Sequence, residues 1–66
     1  MKFLIEFKTD NAAFAEDLEY EIGRILDEVR QQVIDQGPLK IGAGEYIRDV
    51  NGNRVGSWKL SGRMPK

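Results

Sequence analysis

Carboxylates are the most abundant reactive side chains of this chain, which has 11 Asp and Glu residues but no His and no Cys. General acid–base and nucleophilic catalysis rely mostly on His, Cys, or a Ser beside a positioned base. The only serines, Ser57 and Ser61, lie near the C-terminus. His and Cys are also the usual ligands of zinc and transition metals. We therefore expect no catalytic residue, no metal site and no cofactor.

Two glycine-containing segments have spacings that approach known ligand-binding loops. Gly42-Ala43-Gly44 could begin a dinucleotide-binding fingerprint, but Ile47 stands where the third glycine is needed. The segment 49–53 begins like a calcium loop, yet Arg54 replaces the turn glycine and Leu60 the bidentate glutamate. We interpret the first as a loop and the second as a hairpin turn.

The acids are concentrated in the middle of the chain. Residues 10–36 carry eight acids against Arg24 and Arg30, although the net charge of the whole chain is only −1. With 100° per residue, four of these acids fall within about 40° of one another on a helix. These candidate partner-binding residues are Asp17, Glu21, Glu28 and Asp35, with Glu16 and Asp27 forming a second line.

This row of acids has two interpretations. Carboxylates about 6–10 Å apart along a rigid helix could imitate nucleic-acid phosphates and bind a basic groove. The alternative is an ordinary solvated flank, on which Arg24 pairs with neighbouring acids. The sequence leaves both open.

The C-terminal third of the chain is basic and offers a contrasting hypothesis. Arg48, Arg54 and Lys59, together with Trp58, could bind a nucleic-acid strand by charge and stacking. However, the pI of about 5.3 is low for a nucleic-acid-binding domain. Direct nucleic-acid binding is therefore the alternative function rather than the leading one.

Three strands and one helix are expected to position these side chains. Alternation predicts a strand at 2–8, with Phe3, Ile5 and Phe7 on one face. Apolar residues at spacings of three and four predict a long amphipathic helix that covers at least 18–36. Asn11 could cap it, or Asp17 could, with the segment 12–14 forming a separate turn. Gly37-Pro38 predicts its end through a left-handed glycine.

A hairpin is predicted to end the chain, with strands near 45–50 and 54–60 around Asn51-Gly52. A turn centred on Asn51-Gly52 places Asp49 opposite Arg54. A turn one residue later pairs Ile47 with Trp58, and a slip of one residue exchanges the faces. The face that Trp58 occupies is therefore left open.

Together these elements predict a single α+β domain, 1–66, in which one long helix packs on a three-stranded sheet in the order strand–helix–strand–strand. We expect the basic tail, 61–66, to be frayed. The predicted core comprises Phe3, Ile5, Phe7, Ile22, Ile25, Leu26 and Val29. So small a core is marginally stable, and association into a homodimer is one remedy.

Several segments resemble small, uncharacterised proteins of bacteriophages and prophages. They are the run 9–14, the run 21–26 and the turn with its flanks, 49–56. That group often carries a proline in the first helical turn, where this chain has Leu18. In size, layout and acidic helix the chain is also similar to anti-CRISPR inhibitors of type I systems.

The resemblance implies a phage-encoded inhibitor of a bacterial defence complex, acting in the host cytoplasm without a membrane segment. Its expected partner is a protein with a basic nucleic-acid-binding surface, such as the CRISPR surveillance complex. The alternatives are a nucleic-acid-binding accessory module and a self-associating interaction domain.

Overall fold

The segments with alternating apolar residues form strands, and the segment with helical spacing forms a helix, as the sequence predicts. The computed structural model describes residues 1–62, with strands β1 (Lys2–Phe7), β2 (Gly44–Arg48) and β3 (Arg54–Ser61). One long helix, α1 (Leu18–Gln36), follows a short 3-10 turn (Ala12–Phe14). The predicted α+β class is confirmed, and the 3-10 turn is one of the two alternatives predicted for the segment 12–14.

The three strands form one antiparallel sheet in the order β1-β3-β2. The central strand β3 pairs with β1, so that Ile5 lies opposite Trp58, and with β2, so that Tyr46 lies opposite Ser57. Both β1 and β2 are consequently edge strands. The helix covers one face of the sheet and leaves the other face open.

The helix begins after Asp17, the second of the two predicted caps, and the segment 12–14 forms a separate turn. The Asn11 side chain accepts a hydrogen bond from the Ala13 N–H and caps the 3-10 turn, whereas Asp17 accepts from the Tyr20 N–H and caps α1. The helix ends at Gln36 as expected, but the predicted mechanism is wrong. Gly37 has a φ of −64° rather than a positive value, so Pro38, which cannot continue a helix, accounts for the end.

The core is smaller than the predicted one and lies towards β2. Its buried apolar side chains are Phe14, Ile25, Val29, Ile47 and Trp58. Of the seven predicted core residues, only Ile25 and Val29 are buried. Ile5, Phe7 and Ile22 are partly buried, whereas Phe3 is 44% and Leu26 is 46% exposed. The reason is the position of α1, which is tied to β2 through Gln36 and Gly44 and leaves its β1 flank partly uncovered.

The hairpin adopts the register of a turn centred on Asn51-Gly52, which turns Trp58 towards the helix. The Trp58 indole N–H donates to Gln32 Oε1 at 2.8 Å. A β-bulge at Val55 then shifts the last pair, so that Arg48 rather than Asp49 lies opposite Arg54.

The C-terminal end of the described chain is more ordered than predicted. Ser61 ends strand β3 rather than belonging to a frayed tail, and the remainder of that predicted tail, 63–66, lies outside the described residues. Across residues 1–62 no helix has the length and apolar character needed to span a membrane.

Candidate functional site: the acidic face of the helix

Glu21 does not belong to a solvated acidic row. Its side chain is buried, with the residue only 4% exposed, whereas the helical spacing placed it on the exposed flank. The hairpin loop lies against this flank of α1, and the Val50 N–H donates to Glu21 Oε2 at 3.0 Å. The expectation that Glu21 contacts a partner from the surface is therefore corrected, because the protein's own hairpin occupies that position.

Arg24 holds the buried Glu21 carboxylate in its charged form. The guanidinium donates to both oxygens of Glu21 and to the Arg48 carbonyl oxygen at 3.2 Å. The hydrogen bonds from Arg24 lower the pKa of Glu21; burial opposes this, and the Val50 N–H adds to it. The predicted pairing of Arg24 with neighbouring acids is thus observed, and it fastens the helix to the hairpin.

Asp49 organises the hairpin loop from the inside. This buried carboxylate accepts hydrogen bonds from the backbone N–H groups of Asn51 and Asn53, both at 2.9 Å. It also accepts from the Asn11 amide at 2.7 Å, which joins the loop to the 3-10 turn. Burial raises the pKa of Asp49, but the hydrogen bonds led by those from Asn53 outweigh it and lower the pKa overall. The segment is therefore a braced turn.

The other three residues of the predicted row remain exposed, each with a local hydrogen bond. Asp17 caps the helix, Glu28 accepts from Arg24 at 3.1 Å, and Asp35 accepts from Gln31 at 2.9 Å. The buried Glu21 separates Asp17 from Glu28, and Asp35 lies two helical turns beyond Glu28. The structure thus divides the predicted row into individual carboxylates.

Both residues of the second predicted line, Glu16 and Asp27, are exposed. Asp27 lines a shallow depression on the outer side of α1 together with Glu19, Tyr20, Gly23 and Arg24. A Cβ atom built on Gly23 meets no other atom within 4 Å, so the glycine leaves open space at the surface and is not packed closely.

Sequence reasoning missed Glu19 and Tyr20. Tyr20 is 69% exposed, and within residues 1–62 neither Glu19 nor Asp27 makes a side-chain hydrogen bond. A signal was present in the spacing, since Tyr20, Gly23 and Asp27 share one stripe of the helix opposite the core. We call the six exposed carboxylates around this stripe the acidic outer face; they are Glu16, Asp17, Glu19, Asp27, Glu28 and Asp35.

The basic residues gather on the other side of the molecule. Strand register places Lys59, Arg48 and Arg54 on the open face of the sheet. The Arg54 guanidinium lies 4.1 Å from the centre of the Tyr46 ring. Trp58 is only 1% exposed and belongs to the core, so its predicted stacking on a nucleic acid is wrong.

Among residues 1–62 no three side chains of His, Cys, Asp or Glu come together as a metal site. Comparison of the chain with protein-family models, with characterised proteins and with solved structures finds no match. The acidic outer face of α1 is therefore the candidate site that the geometry itself defines.

Proposed function

We propose that this protein is a non-enzymatic binding module that docks the acidic outer face of α1 on a basic surface of a protein partner. The observation that carries the proposal is the depression around Gly23, which is lined by the carboxylates of Glu19 and Asp27 beside the exposed ring of Tyr20. Because no group of residues 1–62 donates a hydrogen bond to these carboxylates, they can accept bonds from a partner's Arg or Lys.

The charge of the helix supports this proposal. Once Arg24 is paired with the buried Glu21, six exposed acids remain against the single helix cation Arg30: five on α1 and its cap, and Glu16 just before the cap. A surface with one sign of charge accelerates encounter with an oppositely charged partner and excludes like-charged ones. Nucleic acids carry the same sign and would be repelled by this face.

The exposed ring of Tyr20 supports direct contact with the partner, in addition to electrostatic attraction. Tyr is enriched among the residues that carry most binding energy at protein interfaces, where its ring fills a pocket and its hydroxyl forms a hydrogen bond. Tyr20 stands one helical turn from the gap at Gly23, so a partner side chain could fill that gap against the ring.

The resemblance to phage accessory proteins supports a particular partner. We propose that the basic surface is the DNA-binding path of a type I CRISPR surveillance complex in the bacterial host cytoplasm. Phosphate-like carboxylates on a rigid helix would then compete with target DNA for the same Arg and Lys residues.

The test is DNA capture by a purified type I surveillance complex, measured with and without the protein. We expect the wild type to reduce capture and the variant Glu19→Lys with Asp27→Lys to lose this effect. The matched control is Asp10→Lys with Glu45→Lys, which makes the same charge change at two exposed sites outside the acidic outer face. Equal inhibition by all three proteins would contradict the proposal.

The charge-reversal variant must not include Glu21. A lysine there would face Arg24 and leave the Val50 N–H without an acceptor, so the loss of function would reflect unfolding. Glu19 and Asp27 are exposed, and circular dichroism is expected to show that the double variant keeps the fold.

The basic open face of the sheet favours a second candidate, a nucleic-acid-binding module. Arg48, Arg54 and Lys59 would provide its phosphate contacts. Submicromolar binding of a labelled oligonucleotide that is weakened by salt and lost in Arg48→Ala with Arg54→Ala would favour this candidate. The acidic-face proposal predicts only weak, non-specific binding in the same assay.

A further inference from the structure

The two edges of the sheet differ in how their outward backbone groups are satisfied. On β2, side chains close the edge: Gln36 donates to the Gly44 carbonyl oxygen, Arg24 donates to the Arg48 carbonyl oxygen, and the Tyr46 N–H donates to the Glu45 carboxylate. An edge closed in this way cannot readily add another strand.

Strand β1 has no such closure among the described residues. The Lys8 N–H donates to the Val55 carbonyl oxygen directly across from it at 2.9 Å, so the even-numbered residues of β1 bond to β3. The N–H and C=O groups of Phe3 and Ile5 therefore point outward. Within residues 1–62 no side chain bonds to them, and the strand contains neither a proline nor a bulge that would block pairing.

Apolar surface accompanies this open edge. Phe3 stacks on Trp58 with ring centroids 5.6 Å apart, but 44% of Phe3 remains exposed. Leu26, which is 46% exposed, lies two residues and roughly 200° around the helix from Arg24. Since Arg24 faces β2, Leu26 projects from the flank on the β1 side. Unpaired backbone groups and exposed apolar side chains thus occur together at this edge.

The charges of β1 fit a second copy of the same strand. In an antiparallel pair centred on Leu4, Lys2 of each copy lies opposite Glu6 of the other. This register produces two symmetric ion pairs on the open face, on either side of a Leu4–Leu4 contact. On the helix face it sets Phe3 opposite Ile5 of the second copy, with their outward N–H and C=O groups bonded to each other.

Neighbouring registers are less favourable. A pair centred on Ile5 sets Lys2 opposite Lys8 and Leu4 opposite Glu6, which brings two like charges together at each end of the contact. In a register shifted by one residue, the apolar side chains of one strand and the polar side chains of the other point to the same side of the sheet.

We propose that two copies of this chain form a dimer through β1, antiparallel and centred on Leu4, giving one continuous six-stranded sheet. The twofold axis perpendicular to the sheet keeps both helices on the same face, and both acidic outer faces remain free. The paired edge covers Phe3 and satisfies the outward backbone groups. This proposal concerns a different surface from the acidic outer face and stands independently of it.

The test is the molar mass of the purified protein by light scattering, combined with a charge exchange. We expect the wild type to have twice the mass of one chain. Lys2→Glu and Glu6→Lys should each shift the protein to monomer, and the double variant should restore the dimer because the ion pairs are re-formed with reversed sign. Leu4→Lys, which brings two lysines together on the axis, should also give monomer.

Lys8→Glu is the matched control. It reverses an exposed charge of the same segment that has no counterpart in the Leu4-centred register, so the dimer should persist. A monomeric wild type at the highest attainable concentration would overturn the proposal. So would a dimer that persists in folded Lys2→Glu and Leu4→Lys variants, because the interface would then lie elsewhere.

Discussion

Glu21 is the residue for which helix geometry was most misleading. Periodicity placed Glu21 on an exposed flank, and it lies there by angle, but the hairpin loop covers that flank from 29 residues further along the chain. Such a contact depends on how the elements pack, which no local pattern encodes. The Arg24 pairing was predictable because it lies at i+3 on the same helix.

The two buried carboxylates predict acid sensitivity. Both have a lowered pKa in the folded protein, so their stabilising contribution is present above the ordinary carboxyl pKa of about 4 and is lost as the pH falls through the lowered values. The urea midpoint should therefore decrease as the pH is taken from 7 to below 4. Glu21→Gln and Asp49→Asn should be less stable at neutral pH and show a flatter dependence.

Glu16→Gln is the control for this titration, since the Glu16 side chain is exposed and makes no hydrogen bond in residues 1–62. It should reproduce the wild-type pH curve. An unchanged curve in both buried-site variants would mean that Glu21 and Asp49 do not couple folding to protonation.

At the scale of the elements, sequence patterns predicted each strand and the full extent of α1. Alternation, the Asn51-Gly52 turn and Gly37-Pro38 each depend on a few neighbouring residues. Sequence patterns of this kind can therefore be identified without knowing how the elements pack. The exposure of Phe3 and Leu26 could not be predicted, because it follows from the displacement of α1 towards β2. The choice between the two helix starts likewise depended on Phe14 packing in the core.

The central strand requires glycine at position 56. A Cβ atom there would clash with the backbone of Glu6 and Phe7 on β1. Gly56→Ala should therefore separate β1 from β3 and lower the free energy of unfolding by about 1–3 kcal/mol or more. Chemical denaturation measures this loss, and an unaltered midpoint would show that β1 is not held at this distance.

The same substitution in the helix should have the opposite effect. Gly23→Ala meets no atom and removes a helix-destabilising residue, so it should stabilise the fold by about 1 kcal/mol and raise the melting temperature by about 4–8 °C. The new methyl group partly fills the depression between Tyr20 and Asp27. If that depression contacts the partner, the variant should bind more weakly although it is more stable. Unchanged binding would place the contact elsewhere.

The whole molecule is electrostatically two-sided. The acidic outer face lies on the helix, and the basic side chains Arg48, Arg54 and Lys59 lie on the open face of the sheet. The sequence showed this separation as a contrast between the middle and the end of the chain. It could not show that one of the acids is internal or that a depression interrupts the helix surface. The open β1 edge lies between these two faces and leaves both accessible in a dimer.

The most direct test of the acidic-face proposal is the rate of association with a type I surveillance complex as a function of salt concentration. An interface steered by charge gives an association rate that falls steeply as salt screens it. We predict this behaviour for the wild type and for Asp10→Lys with Glu45→Lys. The variant Glu19→Lys with Asp27→Lys should associate slowly with little dependence on salt. A wild-type rate independent of salt, or identical behaviour of the two double variants, would contradict docking through the acidic outer face.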